Sequence, residues 1–289
     1  MFYRSWRYNS WQSIKQGAFL AQYTKGEIYL VHIITKHWEK FNVFTPSITL
    51  ENIEQASDAV QKKLNELASD IKNQYGVKVT TVVNSGNPTT EIVKFAKEIK
   101  ADLIVMGTHG YSSWEDLTIG SNALKVLTKS PCPVLTTSQP VDALGYHKII
   151  LPIDTSEHTR HKVVLTIELA KQFTAHIYAV GLLTDDEESK KPAMEVMLHQ
   201  VATAAKDKGV ACSTELLDNV KNRAVATVKY CEKIGGDLIS IMTDQDAELS
   251  GFFLGPYALQ VIHHSKVPVL SIKPEEHPEN VSWTMLSGT

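Results

Sequence analysis

Four residues in "MGTHGYSSWEDLTIGSNAL" (106–124) can do chemistry together: Gly107, Gly110, Gly120 and Ser121. Two glycines three apart follow an apolar run that closes at Met106, and a Gly-Ser pair stands ten residues after the second. Glycine beyond a strand permits positive φ and lets a ligand approach the backbone closely. A Gly-Ser that opens the helix "SNALKVLTKS" leaves free N–H groups as an anion seat, with the Ser121 hydroxyl as an extra donor. Ser121 reads equally as a plain N-cap, and capping coexists with phosphate contact. His109 is either a ligand contact or a surface residue shaping the turn.

The rest of the composition narrows the chemistry. A chain of 289 residues suggests about two domains. A formal charge of −3 gives no electrostatic case for nucleic acid or an anionic membrane. No apolar run approaches the ~20 residues of a membrane span, and "MFYRSWRYNSWQS" lacks the apolar core of a signal peptide. Cys132, Cys212 and Cys231 show no metal or redox spacing, so reduced thiols in a cytoplasmic protein are expected. There is no P-loop and no GxSxG elbow. His263 and His264, adjacent on a helix, should diverge and read as surface histidines rather than metal ligands. No catalytic residue and no metal ligand is assigned.

The positioning elements come from a repeat. "ADLIVMGTHG" (101–110) matches "GDLISIMTDQ" (236–245), an offset of 236 − 101 = 135, and "PCPVL" (131–135) matches "KVPVL" (266–270) at the same offset. Upstream, "GEIYLVHI" (26–33) pairs with "AHIYAVGL" (175–182) at an offset of 149. The extra 14 residues fit "KHWEKFNVFTPSITLEN" (36–52), where Thr45-Pro46 marks a loop. The chain reads as a tandem duplication with domains 1–140 and 141–289, and "TTSQPVDALGYH" (136–147) as linker. In each half short apolar strands alternate with helical patterns. "TRHKVVLTIELAKQF", for instance, places Val163, Ile167 and Ala170 on one face. The pattern predicts two α/β units, each a doubly wound parallel sheet. Each last strand, "PVLTT" and "PVLSI", exposes an edge that packing as a pseudo-dimer would cover.

Gly, two residues, Gly, nine residues, Gly-Ser, between "DLIVMGTHG" and "SPCPVL", resembles the ATP-binding signature of the universal stress protein family. "SGNPTTEIVKFAKEIKADLIVMGTHG" and "KIILPIDTSEH" add to the resemblance, which covers almost the whole chain as two domains. It implies five-stranded parallel sheets in the order 3-2-1-4-5. It also implies an adenine nucleotide (ATP or AMP, with or without Mg) as cofactor. On this resemblance Gly107 and Gly110 border the ribose and phosphates, with Met106 and His109 beside them. Gly120, Ser121 and the Asn122 N–H hold the phosphates, and Ile33 meets adenine through its backbone.

Both halves depart from the family pattern. Its first-strand aspartate is Asp154 in the second half, but the first-half counterpart is Ser5 (154 − 149 = 5). "MFYRSWR" is no apolar strand, yet it or another segment must fill the centre of the first sheet; the β-prone "NVSWTML" (280–286) is one candidate. In the second half Gly107 maps to Met242, Gly110 to Gln245 and Ser121 to Pro256, and only Gly255 survives. Phosphate is therefore not expected there, while a smaller adenine-like ligand stays open. The expected function is a regulatory, non-enzymatic stress protein, capable at most of slow ATP hydrolysis, that binds nucleotide in its N-terminal half. The alternative is a stress-response interaction scaffold without nucleotide. Its partners would be the nucleotide, a second copy in a homodimer and an unidentified protein, with no nucleic acid and no membrane.

Overall fold

The computed structural model describes residues 4–35, 50–108, 119–138, 145–154, 159–243 and 254–273; side chains are described from residue 11 in the first stretch and from residue 57 in the second. It divides into two compact units, Ile14–Ala101 and a second made of Met1–Ser13 with Asp102–Thr289.

The N-terminal segment corrects the expectation of a first strand. It forms α1 (Arg4–Thr24). At the offset of 149 the end of the second half's strand Lys148–Ile153 falls on residue 153 − 149 = 4, where α1 begins. The helix Thr159–Phe173 maps onto residues 10–24, and α1 is that helix extended backward by 10 − 4 = 6 residues. Ser13, Gln16 and Leu20 are buried three and four apart, as are Ala18 and Ala21. That is helical, not strand, periodicity.

In the first unit β1 (Glu27–Ile34), α2 (Leu50–Tyr75), β2 (Lys78–Ser85) and α3 (Pro88–Glu98) follow. β1 and β2 pair in parallel from Glu27↔Lys78 to Ile34↔Ser85. α2 packs on this pair and buries Leu64, Ile71 and Tyr75 on one stripe. Gly76, at φ +68°, ends the helix where a side chain would be strained. The Asn87 side chain caps α3 by accepting from the Thr90 N–H at 3.2 Å, with Pro88 preset for the first turn. The loop expected around Thr45-Pro46 lies outside the described residues, though Leu50 is already helical.

The second unit holds β3 (Ile104–Gly107), α4 (Ser121–Lys129), β4 (Val134–Thr137), β5 (Lys148–Ile153), α5 (Thr159–Phe173), β6 (His176–Leu182), α6 (Lys191–Asp207), β7 (Cys212–Leu217), α7 (Arg223–Ile234), β8 (Leu238–Met242), α8 (Pro256–His264) and β9 (Val269–Ile272). They form one seven-stranded sheet in the order β3-β4-β9-β8-β5-β6-β7. Its second-half portion, β7-β6-β5-β8-β9, is all parallel and has the expected order 3-2-1-4-5. The two last strands meet antiparallel, with Leu135 opposite Leu270, so each covers the other's edge. The five-stranded sheet expected for the first half is thus corrected: its four described strands fall into two sheets.

β5 shows what a central strand requires. Ile149, Ile150, Leu151 and Ile153 are all essentially buried, each contributing roughly 1.5–3 kcal/mol by its removal from water. Gly236 lets Ile150 approach, since a Cβ there would stand 2.8 Å from both Ile150 Cγ1 and Cys231 Sγ. α5 buries Val163, Ile167 and Ala170 as its periodicity predicts. The linker reading of 136–147 needs revision at both ends: Thr136 and Thr137 belong to β4, and Tyr146 is buried against the Phe173 ring at 5.2 Å.

Candidate functional site

Around the glycine motif, Met106 and Gly107 end β3 opposite Thr136 and Thr137. The Thr108 N–H donates to Thr137 O at 3.1 Å, and Thr108 O accepts from the Gly120 N–H at 2.7 Å. This bond closes the excursion 109–119 and brings Gly107, Gly120, Ser121 and Asn122 to one strand end. Gly120, not Ser121, is the N-cap of α4, and no side chain caps the helix. Ser121 and Asn122 begin the helix exposed, and as first-turn residues they have no acceptor within the helix for their N–H groups. His109 and Gly110 lie outside the described residues. Ile33 sits half-buried on β1 opposite Asn84, in the other unit.

The second half repeats this backbone at an offset of 135. The Thr243 N–H donates to Ile272 O at 2.9 Å, and the Gly255 N–H to Thr243 O at 3.0 Å. Even the turn before the last strand is copied: Ser130 Oγ donates to Cys132 O at 2.6 Å and Ser265 Oγ to Val267 O at 2.7 Å. The shared glycine therefore serves the fold in both halves. What separates them is the residue after it and the strand end, where Pro256 replaces Ser121 and the fully buried Met242 replaces Gly107. Proline has no N–H to offer.

Beyond the carboxyl ends of β5 and β6 lies a cleft of about 470 Å³, within the small-molecule range. Asp154, just past β5, lines it. Its Oδ1 accepts from Thr159 Oγ1 at 2.7 Å, and its Oδ2 lies 3.6 Å from Lys162 Nζ. Lys162 is wholly buried and donates to Pro152 O at 2.6 Å. Burial lowers the pKa of its ammonium, and Asp154 partly offsets that. Across the cleft a 3-10 turn (Asp185–Lys190) presents Glu187. Glu187 receives Arg223 Nη2, Lys190 Nζ at 2.8 Å and the Thr184 N–H at 3.2 Å. Burial pushes its carboxyl up, but these donors prevail and hold it down at about 2. Arg223 Nε also donates to Leu182 O at 3.3 Å. From α8, half-buried Tyr257 shares a hydrogen bond with Thr227 at 2.9 Å.

Of these groups the sequence pointed only to Asp154. Thr184-Asp185-Asp186-Glu187 carries the capping-box spacing, and both of its reciprocal bonds form, so that signal could have found Glu187. Leu182, on the wall, is the counterpart of Ile33 (33 + 149). Lys162 and Arg223 had no local signature. Burial raises the thiols of Cys212 and Cys231, to about 11 and about 12, which leaves them protonated near neutrality. His263 and His264, expected to diverge, keep ring centres 4.7 Å apart at 78°. No group of three metal-ligating side chains occurs among the described residues, and no described helix is long and apolar enough to cross a membrane.

Parallel strands alternating with helices, complete in the order 3-2-1-4-5 in the second half, define a doubly wound α/β fold. The family model of the universal stress proteins matches residues 9–138 and again 145–273, and the chain belongs to that family as a tandem member. A universal stress protein of Methanocaldococcus jannaschii is 30% identical over 141 residues, covering 45% of this chain and 76% of that protein. One from Mycobacterium bovis is 21% identical over 286 residues, covering 87% and 91%. The crystal structure of a universal stress protein from Archaeoglobus fulgidus superposes with a TM-score of 0.72 at 17% identity, over 91% of this chain and 92% of that one.

Proposed function

We propose that this protein is a regulatory, non-enzymatic universal stress protein of the cytoplasm that seats the phosphates of an adenine nucleotide, ATP or AMP, at residues 107–122. The observation that carries this reading is the start of α4: an uncapped helix end with Ser121 and Asn122 exposed, where its copy α8 starts with proline. Gly110 and His109 are assigned to the same seat from the motif. Ile33 is assigned to the base from the family resemblance alone. Purified protein should carry adenine absorbance, and calorimetry should give one ATP per chain. Gly110→Val should abolish that binding, because a Cβ intrudes where a phosphate must approach the backbone.

One observation favours the scaffold alternative. Ser5, the counterpart of Asp154, lies in α1 rather than at a strand end, so the N-terminal half has no carboxylate at the family's base-binding position. Wild-type protein that purifies without adenine and fails to bind ATP would establish that reading instead.

A further inference from the structure

β3 and its copy β8 sit differently in the same sheet. β8 has β5 on one side and β9 on the other, and Ile239, Ser240, Ile241 and Met242 are all 0% exposed. β3 ends the sheet. Among the described residues it pairs with β4 alone, and the residues that match those four, Ile104 to Gly107, are only half-buried. The Ile104 N–H donates to Pro133 O at 3.0 Å and the Thr108 N–H to Thr137 O at 3.1 Å, both toward β4. Successive residues of a parallel strand turn their backbone groups to opposite sides, so Val105 and Gly107 aim theirs at the other edge. An apolar edge without proline or charge is a template for one more strand.

The chain's own continuation can reach that edge. Val134 stands opposite Ser271 and Thr136 opposite Val269, so β9 ends beside the amino ends of β4 and β3. To stand next to β3, a chain leaving there passes two strands, three spacings of ~4.8 Å or about 14 Å. Residues 274–289 lie outside the described residues. Their sequence opens with "PEEHPEN" (274–280), polar, with two prolines unsuited to an inner strand. Those seven residues span up to ~23 Å. "VSWTML" (281–286) follows, uncharged, with strand-favouring Val281, Trp283 and Thr284. Because β9 runs antiparallel to β4, a chain turning back from its end runs parallel to β3, as β5 runs beside β8.

We propose that residues 281–286 dock as a strand on the free edge of β3, parallel to it, and give β3 the neighbour that β8 has in β5. The C-terminal tail of one half thereby shields the strand that carries Gly107 in the other.

Amide hydrogen exchange on the full chain without added nucleotide tests this, read at Val105 and Gly107 with Ile239 and Ile241 of β8 as internal reference. In wild type, Val105 and Gly107 should exchange roughly a hundred-fold more slowly than an unstructured peptide. Thr284→Pro and Met285→Pro remove amides on opposite sides of the docked strand, so at least one should return both sites toward the peptide rate while β8 stays protected. Rapid exchange at Val105 and Gly107 in wild type overturns the proposal, as does protection that survives both prolines. Protection that fades on dilution assigns the edge to a second copy of the chain and overturns it too. If a proline releases β8 as well, Thr284→Gly decides. Its weaker strand preference should speed Val105 roughly three-fold and leave Ile239 unchanged, whereas equal acceleration of both overturns the docking.

Discussion

The N-terminal segment and β5 stand at equivalent places in a duplicated chain and have opposite fates. β5 reads "KIILPI", β-branched and apolar on both faces, and fills the middle of a sheet. The residues aligned with its end read "MFYR" and run directly into α1. A central parallel strand must be apolar on both sides, because helices cover both faces. A segment with alternating Arg, Trp and Tyr meets no such demand. The comparison teaches that duplication preserved what can be satisfied locally. The bonds from Gly120 N–H to Thr108 O and from Gly255 N–H to Thr243 O recur in both halves, while no strand fills the centre of the first half's sheet among the described residues.

The largest expected effect comes from reversing that contrast. Ile150→Asp buries an uncompensated charge in β5 and should cost about 4–5 kcal/mol, read as collapse of the cooperative thermal transition. Ser5→Asp, at the start of α1, should change stability by no more than about 0.5–1 kcal/mol, in the favourable direction because of the helix dipole. Equal effects would show that the two segments play the same part after all.

Next in size is the difference between the helix starts. Ser121→Ala should weaken ATP roughly ten- to a hundred-fold by calorimetry, through loss of one bond to a charged oxygen. Pro256→Ser should restore no ATP binding in the second half, because buried Met242 still replaces Gly107 at the strand end. A second ATP per chain in Pro256→Ser would erase the distinction.

The 149 offset also pairs Lys162 with Ser13 (162 − 149 = 13), and both are buried. Ser13 Oγ bonds Thr137 Oγ1 at 2.8 Å, while Lys162 carries an ammonium into the same layer. With its folded pKa lowered, Lys162 costs stability below that pKa, and the cost fades as pH rises toward the unfolded value near 10.5. Denaturant midpoints of wild type should therefore gain on those of Lys162→Met as pH rises through that window. A pH-independent difference would show that Lys162 is not the source of the cost.

The smallest effect is on the acid side. Glu187, held down at about 2 against an ordinary value of 4.5, contributes stability above pH ~4.5 that is lost as pH falls toward 2. Glu187→Gln should flatten the acid arm of the stability profile without shifting the neutral region by more than the ion pair's share.

The repeat made most of the fold legible, because strand and turn signals are local and occur twice. The order 3-2-1-4-5 in the second half came instead from the family resemblance, and the meeting of the last strands from the edges they expose. The first strand stayed open because the offset places it on "MFYRSWR", which carries no apolar strand pattern, and the described part of that segment is helical. At the site, Gly120 and Ser121 were legible as a helix start. Arg223 was not, since its partners Glu187 and Leu182 lie 36 and 41 residues away and no periodicity links them. Lys162 was hidden by its own helix. The stripe Val163, Ile167, Ala170 marks the buried face, and a lysine beside it reads as solvent-facing until Pro152 O is seen to receive it.

The antiparallel seam of β4 and β9 joins two halves of one polypeptide, with Ser138 Oγ also donating to Ser265 O at 2.6 Å across it. Two separate identical chains meeting this way would be bound by symmetry to carry the same binding residues twice. Here every half always meets its unlike neighbour, at a local concentration that dilution cannot lower. A change in one half therefore never has to be tolerated by an identical copy. A difference such as Ser121 against Pro256, or Ser13 against Lys162, is something a covalent pair can inherit and a symmetric dimer of a single gene product cannot.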